Sequence, residues 1–180
     1  MPRTAPCSHQ ANSQPSDRLD QRSADQTAPL FVYGSLQFPD VLRALLGRVP
    51  STAAARVNGW CVRALPDVVY PGLVAAEGEW ADGLVIDGLT PAEWRIIDAF
   101  ENDVYDLRLL RLAGGHDAWA YICREASHVS DNTWDRRHFT ESHLAEYVQN
   151  CIAWRARNTR KDLPTDDVLA GHSTGPTREP

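Results

Sequence analysis

The 180-residue sequence has no apolar run near the roughly 18 residues that a membrane-spanning helix needs. Its first residues, MPRTAPCSHQANSQ, lack the apolar stretch that a secretory signal requires. Basic charge is also in deficit. The 18 Lys and Arg stand against 24 Asp and Glu, giving a formal net charge of -6, whereas a protein that grips nucleic-acid phosphates needs a clustered basic face. The cysteines, Cys7, Cys61, Cys123 and Cys151, form no Cys-x-x-Cys pair, so zinc-ribbon and thioredoxin readings have no support. The 6 His are scattered, with no acidic or Cys partner at a ligand spacing. These absences predict no membrane association, no nucleic-acid partner and no metal site. Cys61 and Cys123 fall in apparent strands and Cys151 in an apparent helix. They read as buried free thiols in a reducing compartment, which places the protein in the cytoplasm.

Large apolar side chains are scarce at both ends. Residues 1–28 and 158–180 are polar and cannot bury enough surface to offset their ordering entropy. Both are predicted to be disordered tails around a folded unit at residues 29–157. That unit opens with LFVY, a short apolar run ending in Gly34-Ser35, which reads as a buried strand and a tight turn. PDVLRALLGR follows as a helix, with Pro39 in the first turn and Gly47 as its cap. RVNGWCVR reads as a strand whose glycine marks a bulge. Leu65 to Glu79 is loop-like, and GLVIDGL is a further strand. TPAEWRIIDAFE has a strong helix start: Thr90 can cap, Pro91 takes the first position, and Glu93 completes a capping box. VYDLRLLRL and DAWAYIC flank Gly114-Gly115 as a hairpin. An amphipathic helix from Thr140 to Arg157 puts Leu144, Tyr147, Val148 and Cys151 on one face. Too few helices separate the strands for a doubly wound parallel sheet. The order predicts an α+β fold, a small and mostly antiparallel β-barrel with flanking helices.

Two places can carry chemistry. A glycine at a strand end, as in Tyr33-Gly34-Ser35-Leu36, tolerates positive φ and lets backbone approach a ligand. Successive N–H groups there can form a nest for a carboxylate or oxyanion. The same pattern also occurs as a purely structural turn. The second place is Glu101. A helix advances about 100° per residue, which sets Glu101 on the side of Trp94 and Ile97, at the C-terminal end. Apolar burial and the negative helix terminus both raise a carboxyl pKa towards the range suited to acid–base work. Periodicity leaves open a frayed end with Glu101 in solvent. Asp98, one turn earlier, reads as a residue of the same kind or as a surface charge. Ser35 lacks a G-x-S-x-G elbow, Cys123 reads as core, and Arg136-Arg137-His138 reads as a solvated face.

FVYGSLQFPDVLRALLGRVP and, later, GLTPAEWRIIDAFENDVYDLRLLRL resemble the γ-glutamylcyclotransferase-like superfamily, and within it the AIG2-like branch. DAWAYIC and WDRRHF fit the same pattern, and the likeness covers Leu30 to Phe139. It implies a β-barrel with flanking helices and a substrate-binding loop at Tyr33, Gly34, Ser35 and Leu36, continued by Gln37 and Phe38. It implies that Glu101 is the acid–base residue, in an E-x-x-x-Y frame that ends at Tyr105. Asn102 stands where the family often has Gly, and Asn tolerates the left-handed conformation. The implied reaction releases 5-oxoproline from a small γ-glutamyl substrate without a metal or organic cofactor. Two alternatives are a γ-glutamylamine or isopeptide cyclotransferase, with Leu65 to Glu79 shaping the leaving-amine pocket, and a non-enzymatic small-ligand module. The sequence carries no signal of oligomeric state.

The composition of the ends generates a test. A chain trimmed to residues 29–157 should melt at the temperature of the full-length protein. A clear fall in Tm would mean that one of the ends packs on the folded unit.

Overall fold

The structure, a computed structural model, describes residues 28–101, 104–124 and 129–159. The expected tails therefore lie outside the described residues, apart from Ala28, Asn158 and Thr159. Ala28 packs against the core, and Asn158 donates its side-chain amide to the Trp154 carbonyl at 2.9 Å.

The opening run forms β1 (Leu30–Val32), the central strand of a five-stranded sheet. Leu30 and Val32 join the cluster under the helices, while Phe31 joins a second cluster with Val57, Leu73, Ala120 and Ile122. Cover on both faces explains why this strand is apolar throughout rather than alternating. β1 pairs antiparallel with β3 (Pro71–Ile86) and parallel with β5 (Asp117–Cys123). The strand β2 (Thr52–Ala64) pairs antiparallel with β3, and β4 (Tyr105–Arg111) antiparallel with β5, in the order β2-β3-β1-β5-β4.

The sheet is thus mostly antiparallel, as expected, but among the described residues no strand ladder closes it into a barrel. Its edges meet at a bridge between Val57 and Leu112, where the Ala113 N–H donates to the Arg56 carbonyl at 2.8 Å. Further along β2, Ala64 and residues 130–132 exchange two backbone hydrogen bonds of 2.9 Å. A loop thus satisfies part of the edge that a barrel strand would pair. The bulge expected in β2 lies between Asn58 and Trp60, with Gly59 at a φ of 78°.

The segment from Leu65 to Glu79 is not a loop throughout. From Pro71 onward it is strand, with Pro71 opposite Ala64 and Ala75 opposite Trp60. Pro71, Gly72, Ala75, Ala76 and Gly78 give it little β-propensity. Proline is tolerated there because it occupies the first position of the strand, and the ladder from β2 supplies the order.

The helices behave as their caps predict. α1 (Pro39–Leu46) ends where the Gly47 N–H donates to the Arg43 carbonyl at 2.9 Å, at a φ of 75°. α2 (Pro91–Glu101) opens on the capping box: the Thr90 N–H donates to the Glu93 carboxylate at 2.8 Å, and the Glu93 N–H to the Thr90 hydroxyl at 3.2 Å. Arg48 adds a two-point ion pair to Glu93. The last amphipathic stretch breaks at His143 into α3 (Arg136–Ser142) and α4 (Leu144–Thr159). The break lets Phe139 pack against Phe38, Trp134 and Tyr147 at ring distances of 5.2–5.4 Å. No helix among the described residues is long and apolar enough to cross a membrane.

The Arg48 pair and the Thr90 cap hold the Glu93 carboxyl below its ordinary value of 4.5, against the opposing effect of burial. A folded-state pKa lowered in this way stabilises the fold above the unfolded value, and that contribution is lost as pH falls through the folded value. Glu93→Gln should therefore lower the urea midpoint at pH 7. The gap from the parent should close as pH falls below about 4.5. A gap that stays constant down to pH 3 would show that the ionised carboxylate is not what matters.

Candidate active site

The chain leaves β1 through Tyr33 and Gly34 into a single 3-10 turn at Ser35–Gln37. The Gln37 N–H donates to the Gly34 carbonyl at 3.0 Å. Gly34 has a φ of -117°, so a left-handed conformation is not why glycine stands there. A Cβ at this position would lie 2.8 Å from the Pro71 Cγ and 3.0 Å from its Cδ. The glycine makes room for the start of β3, and the carbonyl of Pro71 in turn accepts the buried Tyr105 hydroxyl at 2.8 Å.

A cavity of about 330 Å³ opens beside this junction. Tyr33, Gly34, Ser35 and Leu36 form one wall, Phe100 and Glu101 close α2 at another, and Tyr105 adds the start of β4. The expected loop residues, Glu101 and Tyr105 are therefore brought together. Gln37 and Phe38 are not among the lining residues. Gln37 is buried, donates its amide to the Tyr33 carbonyl at 2.5 Å and accepts from Arg136 at 3.3 Å. Phe38 packs on Phe139, with the Arg136 guanidinium 5.2 Å from its ring centre. Both shape the loop from behind, and Arg136 is more than a solvated charge. Asn102 and Asp103, inside the E-x-x-x-Y frame, lie outside the described residues.

Sequence reasoning missed much of the lining. Tyr70 and Pro71 come from the segment read as loop, and Tyr121 from β5. The helix α4 presents Tyr147, Asn150, Cys151, Trp154 and Arg157 along one side. The three- and four-residue spacing of these positions was legible, but it reads equally well as a core-facing stripe. The Tyr147 hydroxyl lies 3.1 Å from the Ser35 Oγ, tying α4 to the loop. Phe100 stacks edge-on against Trp154 at 5.2 Å and Tyr147 at 6.4 Å.

Glu101 is half-buried and faces this cavity rather than solvent. Burial pushes the Tyr33, Tyr70, Tyr105 and Tyr147 hydroxyls above their ordinary range, and the negative charge of Glu101 pushes them further the same way. The Cys151 thiol is raised to about 12 by burial and by Glu101. All five groups stay protonated at neutral pH, and the carboxylate sits among neutral hydroxyls and a thiol.

Asp98 is not a surface charge. It is 3% exposed and accepts the Tyr121 hydroxyl at 2.6 Å, while the Tyr121 carbonyl accepts the Tyr33 hydroxyl at 2.6 Å. Asp98 is absent from the cavity lining and acts on the wall through Tyr121. The sequence showed its helical phase but not the tyrosine opposite.

The fold and the cavity define a class first: an α+β sheet protein with a cleft in which Glu101 is the carboxylate among the described lining residues. The chain belongs to the gamma-glutamyl cyclotransferase, AIG2-like family, whose model matches residues 30–137. Among its relatives in Arabidopsis thaliana, AIG2-like protein D is 38% identical over 77 residues, covering 43% of this chain and 51% of the relative. AIG2-like protein C is 37% identical over 83 residues, covering 46% and 48%. The chain thus spans about half the length of the curated relatives it matches. A solution structure of an Arabidopsis thaliana protein superimposes with a TM-score of 0.53 at 21% identity, over 83% of this chain and 95% of that one. That likeness supports the fold alone.

The Gly34–Pro71 contact leads to a definite expectation. Gly34→Ala should cost about 1–3 kcal/mol of stability, the usual range for overpacking, so damage at this site begins with folding rather than with ligand binding alone. Urea denaturation of the ligand-free protein checks it. Unchanged stability would show that Pro71 can shift to accommodate the methyl group.

Proposed function

We propose that this chain is a γ-glutamylcyclotransferase that releases 5-oxoproline and a free amine or amino acid from a small γ-glutamyl amide, with Glu101 as acid and base. The observation that carries this reading is the position of Glu101, the carboxylate among the described residues that line a cleft walled by the Tyr33–Leu36 turn and by neutral tyrosine hydroxyls. Membership of the family supports the reaction class.

The reaction is an intramolecular acyl transfer. The substrate's α-nitrogen, once deprotonated, attacks its own γ-carbonyl carbon, and a C–N bond forms to close a five-membered ring. Glu101 takes the proton that the attacking nitrogen loses. The bond from the γ-carbon to the leaving nitrogen then breaks, and Glu101 returns the proton to that nitrogen. No net proton is consumed between the free α-amine and the neutral leaving amine. Backbone N–H groups of Gly34 to Leu36 hold the negative end of the substrate or the developing oxyanion. Cyclisation requires a folded glutamyl chain, so the cleft contributes chiefly by holding that conformer. The buried tyrosines stay protonated and serve as hydrogen-bond donors rather than bases. Tyr105 donates to Pro71, so its part is to fix the turn that carries the substrate.

Glu101→Gln keeps the shape of the side chain but removes the proton shuttle. It should reduce 5-oxoproline release at neutral pH by at least about a hundredfold while leaving the thermal transition in place. Glu146→Gln, an exposed acid in the first turn of α4, serves as the control and should be near parental. A folded Glu101→Gln protein that turns over γ-glutamyl compounds at the parental rate would remove Glu101 from the chemistry.

A further inference from the structure

Among the described residues, the charged groups that line the cavity are Glu101 and Arg157. Arg157 lies ten residues beyond Tyr147 on α4, a helical rise of about 15 Å. Tyr147 marks the loop end of the cavity, because its hydroxyl meets Ser35. Arg157 therefore marks the opposite end, past Asn150 and Trp154. The Trp154 ring packs edge-on against Phe100, the residue before Glu101, so Arg157, three residues further along α4, follows the aromatic wall that flanks the carboxylate. Among the described residues, no hydrogen bond or ion pair occupies the Arg157 side chain, and the residue is exposed.

A cation in the last turn of a helix is favoured by the helix dipole alone. That account gives it no reason to line a ligand cavity. Ligand chemistry supplies one. A glutamyl group folded for ring closure is compact, with its α-nitrogen against its γ-carbon. It cannot fill the loop end and also extend its own carboxylate along the helix to Arg157. What extends past Glu101 is the group on the far side of the scissile amide.

We infer that Arg157 selects the leaving group and pairs with a carboxylate on it, so that the favoured substrate is a γ-glutamyl amino acid rather than a γ-glutamyl amine. This rests on the cyclotransferase reading above. The loop end takes the glutamyl half, Glu101 faces the scissile amide, and Arg157 takes the carboxylate of the departing amino acid. Arg presents a planar fork that matches a carboxylate at two points. Its exposure keeps the gain modest and sensitive to salt.

The test compares γ-glutamyl-alanine with γ-glutamyl-alaninamide, which differ only in the charge on the leaving group, by kcat/KM for 5-oxoproline release. The parent protein should prefer the acid by roughly fivefold or more, the factor that one exposed charge pair supplies at the upper end of its range. That preference should shrink as salt is raised. Arg157→Gln should lose the preference by slowing the acid alone, with the amide within twofold of the parent. Equal rates on the two substrates in the parent would overturn the assignment and leave the cyclotransferase reading intact. So would an Arg157→Gln protein slowed equally on both, which would put Arg157 against the glutamyl half or in the architecture of α4. No 5-oxoproline from either compound, or from γ-glutamyl amines, would overturn both readings together.

Discussion

The contact between Gly34 and Pro71 is the constraint on which the rest of the cleft depends. It lets the turn after the central strand lie directly on the first residue of β3, where any Cβ would collide with the proline ring. Pro71 has no N–H to give to the ladder, but its carbonyl accepts the Tyr105 hydroxyl in a buried site. One small residue thus brings the ends of three strands together: β1 through its turn, β3 through Pro71 and β4 through Tyr105. Each is a wall of the cavity. Glu101, at the end of α2, lines the same cavity.

The walls are unusual in being both buried and rich in hydroxyls. Burying a hydroxyl without a partner costs on the order of 1–3 kcal/mol, and here the partners are in place. Tyr33 donates to the Tyr121 carbonyl, Tyr121 to Asp98 and Tyr105 to Pro71, while Tyr147 meets Ser35. The bonds cross between β1, β5, α2, β3 and α4, so they do the work of orientation that an apolar core does by shape alone. They also fix the protonation state of the cleft. Desolvation keeps Tyr33, Tyr70, Tyr105 and Tyr147 neutral, the charge of Glu101 reinforces this, and Glu101 is the carboxylate among the described lining residues.

The residue proposed to contact the leaving group, Arg157, lies on a different element from the proposed acid–base residue, Glu101. The turn and α2 lie within the matched family region, residues 30–137, whereas α4 lies beyond it.

Much of this architecture was legible along the chain. LFVY read as a buried strand because it is covered on both faces, and the Thr90–Glu93 box read as a helix start because its hydrogen bonds are local. Gly47 and the Gly59 bulge followed from backbone freedom at single residues. The phase of α2 put Glu101 on the side of Trp94 and Ile97, and two long motifs named the family. Where the partner is distant in sequence, the chain was silent. Pro71 to Glu79 looked like loop because its order comes from β2 across the ladder. Gly34 looked like a residue that tolerates positive φ, but its φ is -117° and Pro71, 37 residues away, needs the space. Asp98 stayed ambiguous without the Tyr121 hydroxyl opposite it, and a barrel was expected where, among the described residues, the sheet edges meet only over Arg56–Val57 and Leu112–Ala113. Local sequence determines caps, periodicity and turn chemistry, since those interactions span a few residues. Which carboxylate faces a cavity, and which cation stands across from it, was decided by the packing of α4 and β3 against the central strand, which no short window of sequence contains.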